Sequence, residues 1–236
     1  ENFDPERFVT SNIVGPRFLF YARLLIALYS LATIVVMFVT SEERFFWYMT
    51  SWSFFGLTIY FALATFISWR YCFGPLRFTE HQNPLARVST PVRAAYWFLY
   101  ESVAVLHLLV PIVFWALLSS AFDTSTSLTM FSSIGPHATD FFLMATEVLF
   151  NRQLLQLSHM VVLLIVLALY LALAYLVWGA TQVFVYSFLN FHKLHGYIAL
   201  VVLAMGVFCC LLFLIQYFVH RGRDYVFRRR RAVLVV

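Results

Sequence analysis

Long apolar stretches recur from one end of the chain to the other, most of them bordered by arginine, tyrosine or tryptophan. A hydrocarbon core of ~30 Å takes about 20 apolar residues as helix. Helix is also the form that pairs every backbone amide and carbonyl within one segment where water is absent. The pattern predicts six spans, at roughly 18–41, 45–69, 92–119, 137–151, 155–178 and 195–219. The connection from Arg70 to Arg93 carries Gly74, Pro75, Pro84 and Pro91 and reads as a surface loop. The stretch from Ser119 to Gly135 is rich in Ser and Thr and has no cation. The expected fold class is all-α: a polytopic membrane helical bundle, one transmembrane domain over 1–236 that ends in an Arg-rich tail at 220–236.

Composition turns this expectation into an exclusion. Of 236 residues, 62% are hydrophobic and only 11% charged, against about 25% charged in soluble domains. So little charge cannot cover a water-facing globule, and disordered chains have the opposite composition. A cleaved secretion signal does not explain it either, because the apolar runs span the whole chain. The net charge is +5. The cations flank apolar runs rather than lying among exposed aromatics, so nucleic acid is not an expected partner. With six spans, fourteen of the sixteen Lys and Arg residues fall on one side, and only Arg44 and Lys193 on the other. Such asymmetry places both termini on the positive, cytosol- or matrix-like side. The tail Arg228 to Arg231 reads as a topology anchor or a headgroup contact. Three cysteines make no disulfide framework, and none has metal-ligand spacing. The chain opens on Glu1 rather than methionine, from which an upstream segment is expected.

Ionisable groups in spanning segments cost ~2.5 kcal/mol or more on insertion scales, so each needs a reason. They are Glu101 and His107 in span three, His137, Asp140 and Glu147 in span four, and His159 in span five. Glu101, His107 and His159 read as interhelical polar partners, and Glu147 as a partner for Arg152 or the loop beside it. His192 and His195 flank a turn, but two ligands do not make a metal site. Thr50, near the cation-poor face, and His137, at the head of a short fourth span, are expected at similar depth on the same side. Pro136 reads as first-turn proline of a new helix, where the dipole disfavours imidazolium and leaves a neutral base. Asp140, three residues on, shares that face and could fix the tautomer of His137. The same residues also admit plainer readings: a back-bonded threonine, a loop cap and a first-turn acid.

These residues also carry a resemblance. The sequence resembles the androgen-induced membrane hydrolases of fatty acid esters of hydroxy fatty acids, with their rolling stone-like relatives. Trp47-Tyr48-Met49-Thr50-Ser51-Trp52 is similar to the family segment that carries the threonine nucleophile. Phe114-Trp115 is similar to the aromatic pair ending its third helix. His137 falls at the family's catalytic histidine, Glu147 at an acid ten residues later, and Tyr186-Ser187-Phe188-Leu189 at a Tyr-Pro-Phe-Leu segment. Ser133-Ile134 stands where members often have Asn-His, and Ser187 replaces the proline.

The resemblance implies an intramembrane lipid-ester hydrolase with Thr50 as nucleophile and His137 as base. Asp140 as its orienting acid is an inference from spacing alone. No cofactor or metal is expected, and the expected partners are membrane lipids. The rival reading is a non-catalytic accessory subunit of a larger membrane complex, such as an organelle respiratory complex, that keeps the fold without the chemistry. Its partners would then be the other subunits. A third reading, a proton or ion carrier using Glu101, His107 and Glu147, lacks the paired halves of transporters. The host membrane, an endomembrane or the mitochondrial inner membrane, stays open.

Overall fold

The computed structural model describes residues 3–74, 83–122 and 125–233. Pro75 and Arg77 in the 70–93 connection, and the side chains of Arg228 to Arg231, lie outside the described residues. The described chain is helical and contains no strand. Its α-helices are α1 (Pro16–Ser41), α2 (Met49–Phe73), α3 (Thr90–Val113), α4 (Ser127–Ile134), α5 (Asp140–Phe150), α6 (His159–Thr181), the single turn α7 (Phe191–Leu194) and α8 (Ile198–Val233).

Five helical stretches among the described residues are long and apolar enough to cross a membrane: 16–47, 49–73, 90–118, 159–181 and 191–227. They correspond to the first, second, third, fifth and sixth predicted spans. The fourth, 137–151, is not among them. Its place is taken by a run that begins ten residues earlier, at Ser127, and passes from α4 through a π turn (Gly135–Thr139) into α5. Buried acids and a proline interrupt its apolar character, which is why length and hydropathy do not single it out.

The lipid-like exterior is apolar: Leu25, Leu28 and Val35 of α1, Leu169 and Leu176 of α6, and Leu203 and Val207 of α8 are all exposed. Between the helices the core is largely aromatic. Tyr60 of α2 stacks on Tyr96 of α3 at 5.8 Å and lies 5.5 Å from Tyr100.

The tightest polar packing lies at the end of the bundle where the chain enters α1 and α8 finishes. Arg23, 1% exposed, points its guanidinium at Glu147 of α5, with Nε to Oε2 at 3.0 Å. Its Nη1 donates to the Phe8 carbonyl and to Ser68 Oγ, both at 2.7 Å. Glu147 also accepts from the Tyr60 hydroxyl at 2.6 Å and from Asn151 Nδ2 at 3.1 Å. The expected partner Arg152 is therefore not the one Glu147 uses. Arg152 turns to Thr10 Oγ1 at 3.0 Å, away from the bundle interior.

Arg7 donates to the Arg152 carbonyl and to Asp224 Oδ2, each at 3.0 Å. The N-terminal stretch and the far end of α8 thus meet at one end of the molecule. Arg223 of α8 adds bonds to the Val148 and Gln153 carbonyls and, at 3.0 Å, to Asn151 Oδ1. The 151–158 connection, which has no helix of its own, is held by these side chains and by Trp97 Nε1, which donates to Leu154 O at 2.8 Å.

Removing one partner of a buried ion pair leaves an uncompensated charge and costs about 3–5 kcal/mol. Arg23→Met or Glu147→Leu alone should lower thermal stability in detergent by about that much, and the double variant should recover most of the loss. Additive losses, measured by a double-mutant cycle of melting curves, would show that the pair is not coupled.

Candidate functional site

The start of α2 positions Thr50. A 3-10 turn (Glu42–Trp47) brings the chain round from α1, and Tyr48 enters α2 in extended conformation without a side-chain cap. The first amides of a helix have no partner within it, and in an apolar setting they must find one elsewhere. Met49 N finds two: it donates to Tyr170 Oη of α6 and to Tyr186 Oη of the 182–190 connection, both at 2.9 Å. Tyr170 in turn donates to the Trp47 carbonyl at 2.8 Å. Thr50 is therefore clamped at a junction of α2, α6 and the connection, with the Tyr186 hydroxyl beside it. Burial pushes the Tyr186 phenol above its ordinary range, so it remains a proton donor.

Two prolines position His137. Pro111 lies inside α3, and the helix widens into a π turn (Phe114–Leu118) just beyond it. Pro136 lies in the second π turn, Gly135–Thr139. Proline removes an amide donor and crowds the preceding turn, and a π turn is one way a helix absorbs such a defect. The two π turns meet. The Phe114 ring stacks on the His137 ring at 3.5 Å and 6°, and Trp115 Nε1 donates to the His137 carbonyl at 2.7 Å.

The expected helix start at Pro136 is not there. The helical run begins at Ser127, capped by Thr126, whose hydroxyl accepts from Thr129 N at 3.1 Å in a capping box. His137 therefore sits in mid-run, away from any helix N-terminus, and first-turn amides are not available beside it to stabilise an oxyanion. Its Nδ1 is buried and has no hydrogen-bond partner among the described residues.

Asp140 does not orient His137. Its Oδ2 lies 2.6 Å from His107 Nδ1 of α3, and its Oδ1 accepts from Phe141 N at 2.7 Å. The carboxylate thus takes its imidazole from α3 and not from its own helical run. Glu101 pairs with His159 Nδ1 at 2.6 Å and with Gln156 N at 2.7 Å. The acids Glu101, Asp140 and Glu147 thus stand in three separate pairs rather than one relay. His192 packs among Phe191, Trp178 and Phe184, 4.4–6.1 Å between ring centres. Among the described residues no three His, Cys, Asp or Glu side chains group as a metal site.

Thr50 and Phe114 line one cavity of about 220 Å³, together with Leu109, Met205, Tyr170 and Tyr186. Its wall is otherwise apolar, drawn from α2, α3, α6 and α8. His137 is not in that wall but stacks on Phe114, which is. Thr50 lines the hollow directly, and His137 is linked to it through its stack on Phe114. No hydrogen bond joins the two side chains among the described contacts. The parts that sequence reasoning missed are the Met49 clamp and His220, buried between Tyr100 Oη and Gln216 O at 2.6 Å each. The Tyr186-Ser187-Phe188-Leu189 segment was a signal for the clamp, because its first residue supplies one of the two hydroxyls. No protein-family model, curated protein or solved structure matches the chain.

The π turn at Gly135 is tight against α1: a Cβ there would meet Thr33 Cγ2 at 2.6 Å. Gly135→Ala should destabilise by about 1–3 kcal/mol through overpacking. Adding Thr33→Ser, which deletes the opposing methyl, should restore most of it. Melting temperatures in detergent decide, and equal stability of Gly135→Ala and wild type would contradict this packing.

Proposed function

We propose that the protein is an intramembrane lipid-ester hydrolase in which Thr50 is the nucleophile and His137 the base. The observation that carries this reading is an apolar cavity lined by Thr50 and by Phe114, on whose ring is stacked an imidazole with a buried, unpartnered Nδ1. An acyl chain suits the apolar lining. A neutral imidazole among apolar groups suits proton abstraction from an alcohol.

In this mechanism Phe114 swings aside as substrate enters and His137 reaches the Thr50 hydroxyl. Catalytic hydrogen bonds are often completed only in the substrate complex. Thr50 Oγ1 attacks the ester carbonyl carbon and its proton passes to His137. Collapse of the tetrahedral intermediate expels the alcohol, which takes that proton back. Water, activated by the same imidazole, then releases the fatty acid from Thr50.

The matching topology is six crossings with both termini on the positive side. The bond from Arg7 to Asp224 supports an even number of passes. The run Ser127–Phe150 is 24 residues long, about 36 Å of helix at ~1.5 Å per residue, sufficient for a core of ~30 Å. Its His137, Asp140 and Glu147 all turn toward protein partners.

A second reading, a non-catalytic subunit of a larger membrane complex, draws on the Phe114–His137 stack and on the absence of His137 from the residues that line the cavity. Purification separates the two: a subunit would leave the membrane in a stoichiometric complex without hydrolysing lipid esters. On the hydrolase reading, Thr50→Ala and His137→Ala should each cut turnover of a long-chain ester of a hydroxy fatty acid at least about 100-fold in detergent, the scale of general-base and nucleophile losses. Full activity in either variant excludes the mechanism.

A further inference from the structure

Tyr186 reaches from the 182–190 connection to the first turn of α2. The polar side chains on the cavity wall are Thr50, Tyr170 and Tyr186. Their hydroxyl protons have different fates. That of Tyr170 goes to the Trp47 carbonyl at 2.8 Å. That of Thr50 is the one a nucleophile gives up. The Tyr186 oxygen accepts from Met49 N at 2.9 Å and has the Thr50 and Tyr170 hydroxyls as neighbours, and no described hydrogen bond takes up its own proton. An amide donating to a phenol oxygen polarises the O–H and strengthens the bond it makes onward. The run that carries His137 has no N-terminus at that residue, so a hydroxyl of the cavity wall is a donor that an entering carbonyl can meet.

We propose that Tyr186 is this donor: its hydroxyl binds the carbonyl oxygen of a long-chain acyl ester in the cavity and holds the carbonyl carbon against Thr50. The catalytic consequence rests on the hydrolase reading, whereas the binding itself does not. When Thr50 Oγ1 bonds to the carbonyl carbon, the π pair moves onto the oxygen that Tyr186 holds. When the carbonyl re-forms, the bond to the alcohol oxygen breaks and that oxygen leaves with the proton from His137. Tyr186 donates throughout and is not consumed. Charge gathers on the oxygen in the transition state, so the bond is strongest there. Tyr186 also stacks on Phe188 at 5.0 Å, so Tyr186→Phe removes the donor while keeping the ring.

The test uses a long-chain methyl ketone labelled with 13C at the carbonyl, which binds like the ester but is not hydrolysed. In the detergent-solubilised full chain, its carbonyl resonance should move downfield by several ppm on binding to wild type and to Thr50→Ala. It should stay near its free position with Tyr186→Phe. No downfield movement in wild type, or the same movement in Tyr186→Phe, overturns the proposal. In turnover assays Tyr186→Phe should lower kcat about 100-fold and change KM less than about threefold. A fall in Thr50→Ala with unchanged kcat in Tyr186→Phe removes Tyr186 alone. Unchanged turnover in Thr50→Ala removes the hydrolase reading, and the ketone shift still decides whether Tyr186 binds the carbonyl.

Discussion

A guanidinium inside a membrane bundle must meet its counter-charge within the protein, and Arg23 meets it in Glu147, 124 residues away along the chain. The alternative, an isolated charge in low dielectric, is far costlier than any packing the helices could gain in return. This pair sets α1 against α5. It also recruits Tyr60, Ser68, Asn151 and the Phe8 carbonyl, so that three helices, the 151–158 connection and the N-terminal stretch converge on one carboxylate and one guanidinium. The 151–158 connection, with buried Asn151 and Gln153, acquires its shape from the same network.

The opposite end of the bundle is organised by backbone groups instead of charges. Ser68 marks the Arg23 level on α2, and Thr50 lies eighteen residues earlier, about 27 Å along the helix at ~1.5 Å per residue. There the unpartnered amide of Met49 draws in two tyrosine hydroxyls, and two prolines force two π turns into contact. Both features follow from one rule, that buried amides and carbonyls must be paired. A missing proline amide and an orphan first-turn amide are local defects, and repairing them brings distant segments together. The cavity is lined by residues of the first π turn, Phe114 and Leu118, and by Met49 and Thr50.

The two ends contribute differently to the chemistry proposed here. At the charged end Arg23 and Glu147, and Arg7 and Asp224, are paired with each other. The hydroxyl-rich end holds an unpartnered imidazole nitrogen and an alcohol about an apolar space. Reactivity is thus assigned to the end where pairing is incomplete, and the closed network at the other end fixes the helices that carry it.

Much of the architecture is legible in one dimension. Apolar length and low charge mark five of the helices that the structure contains, because a bilayer solvent imposes both along each segment separately. The segment they misjudge is the one that begins at Ser127, where buried acids dilute the apolar signal. Its start is hidden because a proline followed by an apolar run looks like a helix beginning, whereas Pro136 here lies within a π turn of a longer run. The type of residue at each candidate position, a threonine, an imidazole and a carboxylate in apolar surroundings, is equally plain from the sequence.

What only the tertiary structure decided is who faces whom. Asp140 meets His107 rather than His137, Glu147 meets Arg23 rather than Arg152, and His137 stacks on Phe114, which lines the hollow with Thr50. A side chain's periodicity fixes its face on one helix, but its partner depends on the tilt and spacing of another. Those are set by the whole packed bundle, and no local stretch of sequence encodes them.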